Sequence, residues 1–263
     1  MKIALNTLVL KDFSAKEAVE AAREIGRIEI NGRHLPPDAS LDEAKRLLEG
    51  LEVIGIGAYT GGFTTKDKNT ILTELKQYTA LAKAIGAMGI RVYPGGPGSL
   101  KASEKEYQRA VLGLREAAKI VYPIELYFEL HHNDLADSPE SAIKLIDDIG
   151  EKNIGVILDP ANMYISGSDY LETAVDILGD RLSLVHMKDI KKLDKPEEGS
   201  FNIEGTFYSH RLLGEGDLEL EKLIAILKDK GYEGYLSLEY HGDDADLAIV
   251  RRETEWLSKR LSE

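Results

Sequence analysis

Short runs rich in β-branched and aromatic residues alternate eight times along this chain with longer amphipathic helical patterns. Residues 2–6 and 90–93 are two of the predicted strands, and residues 15–25 and 69–85 are two of the predicted helices. Because each helix returns the chain to the same end of the next strand, this alternation indicates a parallel sheet. Eight units without a linker rich in Pro, Gly or Ser predict an α/β fold, with residues 1–263 forming a single (β/α)8 TIM barrel domain.

The seventh unit is longer than the others. A long polar stretch, residues 188–216, separates the predicted strand at 182–187 from the predicted helix at 218–230. We therefore expect a longer loop after strand 7. This loop carries His210 and Arg211 and is a candidate lid over the end of the barrel.

Four consecutive predicted strands, the fifth to the eighth, have a polar residue where an otherwise apolar run ends. Active sites of such barrels form at the carboxyl ends of the strands, so these side chains are expected to face one another. Buried carboxylates repel one another and are costly unless a cation or hydrogen bonds compensate them. Three carboxylates and one imidazole suit one divalent metal ion, namely Mn²⁺, Mg²⁺, Co²⁺ or Zn²⁺, and the alternative for each residue is an ion pair with a nearby Lys or Arg. The predicted metal ligands are Glu129, Asp159, His186 and Glu239.

The sequence around these residues resembles the xylose-isomerase-like barrels, a family of sugar isomerases, epimerases and related lyases. The similar segments are FELH at 128–131, LDPAN at 158–162, HMKD at 186–189, GEGD at 214–217 and GYEGYLSLE at 231–239. The resemblance implies that the same four residues hold one catalytic divalent metal ion. It also implies that Glu129 and Glu239 are catalytic, as acid and base on opposite faces of the substrate.

The resemblance has one departure and one further candidate. Many family members have a His three residues after the strand-six Asp, where this chain has Asn162, and Asn cannot exchange a proton. Glu29 ends the second predicted strand and matches an inward-facing glutamate that orients other groups in the family.

Several further polar residues are candidates for contact with the substrate. Because side chains alternate along a strand, His131 lies on the same face as Glu129, and Lys188 on the same face as His186. Arg91 is a cation on a short buried strand, which needs carboxylate or substrate oxygens as partners. The alternatives are a supporting role for His131 and salt bridges for the two cations, with Asp189 or Glu129 as candidate partners of Lys188. The expected substrate-binding residues are Arg91, His131, Lys188 and Asn162.

The first functional hypothesis is a divalent-metal-dependent isomerase or epimerase of a small sugar or polyhydroxylated carbonyl compound. One glutamate would remove a proton next to the carbonyl to give a metal-stabilised enediolate, and the other would return it. The alternative hypothesis is a metal-dependent dehydratase of the inosose or 3-dehydroshikimate type, with His131 as the acid for the departing hydroxyl.

Other classes of protein fit less well. An endonuclease of the same superfamily would need more histidines than the six present, and a net charge of −13 repels nucleic acid. The absence of Cys excludes thiolate metal sites and a cysteine nucleophile. No apolar run approaches the ~18 residues of a membrane span, and no signal-peptide pattern opens the sequence, so we expect a cytoplasmic protein. Its expected partners are a small carbohydrate-like substrate and, as a possible homo-oligomer, further copies of the chain, without nucleic acid or membrane.

Overall fold

The computed structural model describes residues 1–263 and contains eleven strands, eight of which close into a parallel barrel. The predicted (β/α)8 barrel is therefore confirmed. The strands are β1 (Lys2–Asn6), β2 (Arg27–Asn31), β3 (Glu52–Gly61), β4 (Gly89–Tyr93), β5 (Glu125–Glu129), β6 (Ile154–Leu158), β7 (Leu182–Met187), β8 (Asp189–Leu193), β9 (Phe201–Ile203), β10 (Thr206–Arg211) and β11 (Tyr235–Leu238).

The barrel strands lie in chain order from β1 to β7, and β11 closes the ring between β7 and β1. In β1, Leu5 lies opposite Ile28 of β2 on one side and Leu238 of β11 on the other. A separate apolar cluster that includes Ala4 and Tyr127 comes from five barrel strands and fills the lumen below the strand ends. The predicted site residues lie above this cluster, at the carboxyl ends of the strands. A second polar group, which includes Glu52 and Tyr235, lies below it at the amino ends.

Helices pack around the outside of the barrel, and those predicted at 15–25, 69–85 and 218–230 lie within two residues of the predicted bounds. Ser14 and Ser103 form capping boxes at the starts of the helices at 15–23 and 104–121, and Gly86 ends the helix at 68–85 with a φ of 70°. None of the helices has both the length and the apolar character that crossing a membrane requires. The helices are α1 (Ala15–Arg23), α2 (Leu41–Leu48), α3 (Lys68–Ile85), α4 (Glu104–Val121), α5 (Pro139–Ile149), α6 (Pro160–Ser166), α7 (Glu172–Leu178), α8 (Leu220–Asp229) and α9 (Leu247–Ser262).

The connection after β6 contains two short helices, Pro160–Ser166 and Glu172–Leu178. The first helix, α6, starts immediately after Asp159, whose Oδ1 accepts a hydrogen bond from the backbone N–H of Asn162. Pro160 occupies the first turn, where its missing N–H costs nothing. Gly167 ends the helix with a φ of 73°. The strand-six Asp is therefore also a helix cap.

The long connection after β7 is an ordered sheet rather than the expected loop. Its three antiparallel strands lie in the order β8-β10-β9. The carboxylate of Asp189 anchors this insertion sheet, because it accepts hydrogen bonds from the backbone N–H groups of Ile190, Gly214, Gly216 and Leu218. Asp189 thus holds both ends of the insertion on the barrel.

Candidate active site

The four predicted metal ligands meet at the carboxyl end of the barrel. Glu129 ends β5, Asp159 follows β6, His186 lies in β7 and Glu239 follows β11. One ligand atom from each lies within 4.8 Å of the others, and no other group of three or more such side chains is gathered in the structure. All four residues are at most 2% exposed. The strand ends thus bring together the residues that the sequence analysis singled out.

His186 lies at the centre of this group. Its Nδ1 is 3.2 Å from Glu239 Oε2 and 3.5 Å from both Glu129 Oε1 and Asp159 Oδ2. Its Nε2 lies 3.1 Å from Glu29 Oε2, which also accepts a hydrogen bond of 2.7 Å from Ser237 Oγ. Glu29 therefore faces inward, as expected, and fixes the ring with Nδ1 towards the carboxylates. A histidine held by a carboxylate in this way is typical of metal ligands.

The arrangement fits a divalent cation. Two buried ligand atoms, His186 Nδ1 and Asp159 Oδ2, have no hydrogen-bond partner. Ligands about 2.0–2.3 Å from one ion lie roughly 3–4 Å from one another, which is the spacing found around His186 Nδ1. Three carboxylates with one imidazole are donors that several divalent metals accept. This buried group can therefore bind a metal ion.

Glu129 is surrounded by donors. Arg91 Nη1 donates to its Oε2 at 2.8 Å, Tyr93 OH approaches the same oxygen at 3.3 Å, and Asn162 Nδ2 donates to its Oε1 at 3.2 Å. Burial raises the pKa of the Glu129 carboxyl, but Arg91 and His186 outweigh burial and hold the pKa well below its ordinary value. Two predicted substrate contacts, Arg91 and Asn162, thus touch a predicted ligand directly.

Glu239 has a separate set of partners on the other side of the group. Asn6 Nδ2 donates to its Oε1 at 2.9 Å, Lys188 Nζ lies 3.0 Å from its Oε2, and His241 Nε2 lies 3.6 Å from that same oxygen. Burial raises the pKa of Glu239, whereas His186 and Lys188 lower it well below its ordinary value. Asn6 was not among the predicted site residues, although it is a polar residue at the end of β1 and follows the same pattern as the four predicted ligands.

Lys188 pairs with the predicted metal ligands rather than with Asp189 or Glu129. Its Nζ lies 2.6 Å from Asp159 Oδ2, as well as close to Glu239. The contact with Asp159 is an ion pair without good hydrogen-bonding geometry. Burial lowers the pKa of Lys188, but the neighbouring carboxylates Asp159 and Glu239 raise it above its ordinary value. The ammonium is therefore charged.

His131 lies at the mouth rather than in the buried group. Its Nδ1 donates to the carbonyl oxygen of His132 at 2.8 Å, its ring stacks on His132 at 4.3 Å, and it meets Tyr93 edge-on at 5.7 Å. It lines a cavity of about 590 Å³ that the β9–β10 turn borders through Ile203 and Glu204. The structure thus separates His131 from the ligands although it lies only two residues from Glu129.

A family model described as the xylose isomerase-like TIM barrel matches residues 15–260. The chain is 27% identical over 159 residues to an inosose dehydratase of Clostridium perfringens, covering 54% of this chain and 50% of that protein. It is 28% identical over 218 residues to an inosose isomerase of Halalkalibacterium halodurans, covering 77% and 72%. It is 24% identical over 216 residues to a 3-dehydroshikimate dehydratase of Bacillus anthracis, covering 80% and 76%. The chain spans about half the length of the inosose dehydratases that it matches.

Solved structures share the fold over nearly the whole chain. A probable 3-DHS dehydratase of Bacillus anthracis superposes with a TM-score of 0.81 at 23% identity, covering 98% of this chain and 99% of that one. An L-ribulose 3-epimerase superposes with a TM-score of 0.79 at 19% identity, covering 100% and 95%. The IOLI protein, solved with a bound zinc atom, gives a TM-score of 0.77 at 20% identity, covering 100% and 98%.

Proposed function

Because the chain belongs to the xylose isomerase-like TIM barrel family, we propose that it is a metal-dependent enzyme acting on a small polyhydroxylated carbonyl compound. The observation that carries this proposal is the position of two carboxylates, Glu129 and Glu239, in one buried group with Asp159 and His186. Such a group offers ligands for one cation and two proton-carrying side chains in the same place.

In this proposal Glu129, Asp159, His186 and Glu239 hold one divalent cation, which is Mn²⁺, Mg²⁺, Co²⁺ or Zn²⁺. When bound, the cation supplies Lewis-acid polarisation of the substrate carbonyl and compensates the negative charge that develops on it. Burial of all four residues excludes bulk water, which strengthens electrostatic interactions within the site.

The two glutamates are proposed to move the proton. Neighbouring cations lower the pKa values of both carboxyl groups, which favours the ionised form that a proton acceptor needs. Arg91 and Asn162 orient Glu129, whereas Asn6 and Lys188 orient Glu239. One carboxylate removes the proton next to the carbonyl, and the other returns it. Return to the neighbouring carbon gives aldose–ketose isomerisation, and return to the opposite face gives epimerisation.

A second candidate function is dehydration, and the hydrogen bonding of His131 favours it. Because a carbonyl oxygen only accepts, the contact with His132 places a proton on Nδ1 and leaves Nε2 without a hydrogen bond. A protonated Nε2 would serve as the acid for a departing hydroxyl group, a role that Asn162 cannot perform. Two of the relatives named above are dehydratases of inosose and 3-dehydroshikimate.

Substrate assays in D₂O distinguish these reactions. Purified protein with Mn²⁺ is incubated with a panel of ketoses, inososes and 3-dehydroshikimate, and we expect turnover of at least one compound with exchange of a carbon-bound hydrogen. A new ultraviolet absorbance from a more highly conjugated product identifies dehydration, and its absence with a changed sugar identifies isomerisation or epimerisation.

Variants of the two glutamates test the proposed proton transfer on the substrate identified in this way. Glu129→Gln and Glu239→Gln should each reduce turnover by about 10²-fold or more, because each removes a general base or acid. A variant that still exchanges hydrogen but forms no product has lost the acid that returns the proton. Wild-type turnover in both variants would show that the two-glutamate mechanism is wrong.

A further inference from the structure

Three buried nitrogen atoms beside the candidate active site donate no hydrogen bond. They are Asn31 Nδ2, Arg91 Nε and Arg91 Nη2. Asn31 is 0% exposed and Arg91 is 1% exposed, so bulk water does not solvate them. Buried donors without an acceptor are costly and uncommon, and a group of them therefore points to an acceptor that a ligand supplies.

The surroundings fix the direction of these donors. Asn31 Oδ1 accepts a hydrogen bond of 3.0 Å from the backbone N–H of Arg33, so the amide cannot be flipped to satisfy Nδ2. The guanidinium of Arg91 is held at Nη1 by Glu129 Oε2 at 2.8 Å and lies 5.0 Å from the ring of Tyr93. The free atoms Nε and Nη2 form one edge of the guanidinium, which is the edge that binds two acceptor oxygens side by side.

Gly57 leaves room in front of these donors. In the barrel register, Asn31 of β2 lies opposite Gly57 of β3, and Gly57 lies opposite Arg91 of β4. A Cβ on Gly57 would lie 3.4 Å from both Arg91 Nη2 and Asn31 Nδ2, with nothing nearer. The missing side chain therefore opens a gap that two of the unpartnered nitrogens border.

We propose that Asn31 and Arg91 form a subsite for a carboxylate group of the substrate, next to the reacting atoms. The inference rests on the proposed function and deepens it, since it makes the substrate a polyhydroxylated acid rather than a neutral sugar. A carboxylate carries two oxygens that only accept, which matches a guanidinium edge and an amide nitrogen that only donate. A hydroxyl group carries a donor of its own and matches these partners less well.

Binding of matched acids and neutral compounds to the Mn²⁺-loaded protein tests this inference. The probes are shikimate with its methyl ester, and D-gluconate with sorbitol, measured by isothermal titration calorimetry. At least one acid should bind roughly 10- to 100-fold more tightly than its neutral counterpart, as expected for hydrogen bonds to a charged group. Equal or weaker binding of both acids would overturn the inference and would mean that water alone satisfies these donors.

Two glycine variants locate the subsite. Gly57→Ala fills the gap at ordinary contact distances and should remove the preference for the acid. Gly55→Ala is the matched control, because its Cβ would also meet its nearest neighbour, Tyr127 Cε2, at 3.4 Å but lies one step lower in the barrel. A preference that survives in Gly57→Ala would contradict the placement.

A third variant and a metal titration separate this inference from the proposed function. Asn31→Asp brings a negative charge to the subsite, so it should weaken binding of the acids more than binding of the neutral compounds. Mn²⁺ affinity is measured on every variant and should not change in Gly57→Ala. Absence of Mn²⁺ binding in the wild type would contradict the proposed function, whereas equal affinity for acid and neutral probes would contradict only the carboxylate subsite.

Discussion

At the scale of single residues, the side chain of Asp159 both caps a helix and faces the candidate active site. Its Oδ1 caps α6 through the N–H of Asn162, while its Oδ2 faces His186 and Lys188 without a hydrogen bond. Because a carboxylate has two oxygens, capping does not use up the oxygen that faces the site. The same sequence position therefore directs the chain after β6 and supplies a candidate ligand.

Asp159→Asn separates these two positions. The variant should keep the cap, since the amide oxygen still accepts the hydrogen bond, but it should lose about 10-fold or more in Mn²⁺ affinity because an amide is a weaker ligand. Calorimetric titration measures the affinity, and thermal unfolding of the metal-free protein measures the fold. Asp246→Asn is the matched control, since Asp246 caps α9 in the same way away from the site. Equal Mn²⁺ affinity in the two variants would contradict the assignment of Asp159 as a ligand.

At the scale of elements, the insertion sheet depends on one buried carboxylate. Asp189 is 1% exposed and accepts hydrogen bonds from four backbone N–H groups, at the start of β8 and beyond β10. Gly216 approaches it so closely that a Cβ there would lie 2.1 Å from Asp189 Oδ1. Asp189 thus holds the insertion sheet on the barrel, whereas the barrel strands are held by their own backbone hydrogen bonds.

Asp189→Ala should loosen the insertion sheet and leave the barrel folded. Several buried N–H groups would lose their acceptor, at a cost of roughly 2–4 kcal/mol in the free energy of unfolding. Hydrogen exchange followed by mass spectrometry should be faster in residues 189–217 than in the wild type, without a comparable change in β5. Asp217→Ala is the control, because Asp217 accepts only one backbone N–H, from Lys192, in an exposed position. Uniformly faster exchange across the barrel would contradict the local role.

Helix α9 meets the end of the insertion through Glu253, whose carboxylate accepts the N–H of Leu213 at 3.0 Å. Burial raises the pKa of Glu253 to about 7, with Asp189 and Glu215 adding to burial while the Leu213 N–H and Arg252 oppose it. A raised pKa favours the native state when the group is protonated. Its contribution is therefore fully present below the ordinary pKa of 4.5 and is lost as the pH rises through about 7.

Glu253→Gln should remove this loss while keeping the acceptor for Leu213. Between pH 4.5 and pH 8, the free energy of unfolding of the variant should rise by roughly 2–3 kcal/mol relative to that of the wild type, which is about 5–10 °C in Tm. Thermal unfolding at several pH values measures the difference. Glu255→Gln, on the exposed face of the same helix, is the control and should show no such trend. A constant difference between Glu253→Gln and the wild type across this range would contradict the raised pKa.

At the scale of the whole molecule, the candidate site joins strands from all parts of the barrel. Asn6, Glu29, Arg91 and Glu129 come from the first five barrel strands, and the predicted ligands Asp159, His186 and Glu239 come from the last three. A cation bound by Glu129, Asp159, His186 and Glu239 would connect four strands that are far apart in the chain. Metal binding at this site would therefore be coupled to the stability of the complete barrel.

Saturating Mn²⁺ should raise the Tm of the wild type, and a chelator should lower it again. A ligand that binds only the native state, at a concentration 100 times its Kd, adds about 2.7 kcal/mol to the free energy of unfolding. This corresponds to a rise in Tm of roughly 5–10 °C for a chain of this size. Differential scanning calorimetry at several Mn²⁺ concentrations measures the shift. Asp159→Asn should show a much smaller shift, and a Tm that is independent of Mn²⁺ in the wild type would contradict the metal site.

The sequence by itself determined the barrel and the strand ends at which the candidate ligands lie. Both depend on local patterns, because alternation of strands and helices sets the fold and a period of two sets the face of each strand. The sequence was also sufficient to predict that Glu129, Asp159, His186 and Glu239 lie together, since parallel strands bring their carboxyl ends to one edge. Their roles as ligands remain a prediction.

Only the tertiary structure decided which partners these residues have. The contact of Glu29 with His186 crosses the lumen between strands that are not neighbours. The hydrogen bond of Asn6 to Glu239 and the pairing of Lys188 with Asp159 join neighbouring barrel strands. Such contacts depend on the register and closure of the barrel, which no local pattern encodes. The insertion sheet was not predicted from the sequence, because its strands are short and polar. Its order depends on one buried carboxylate that accepts hydrogen bonds from backbone N–H groups far along the chain.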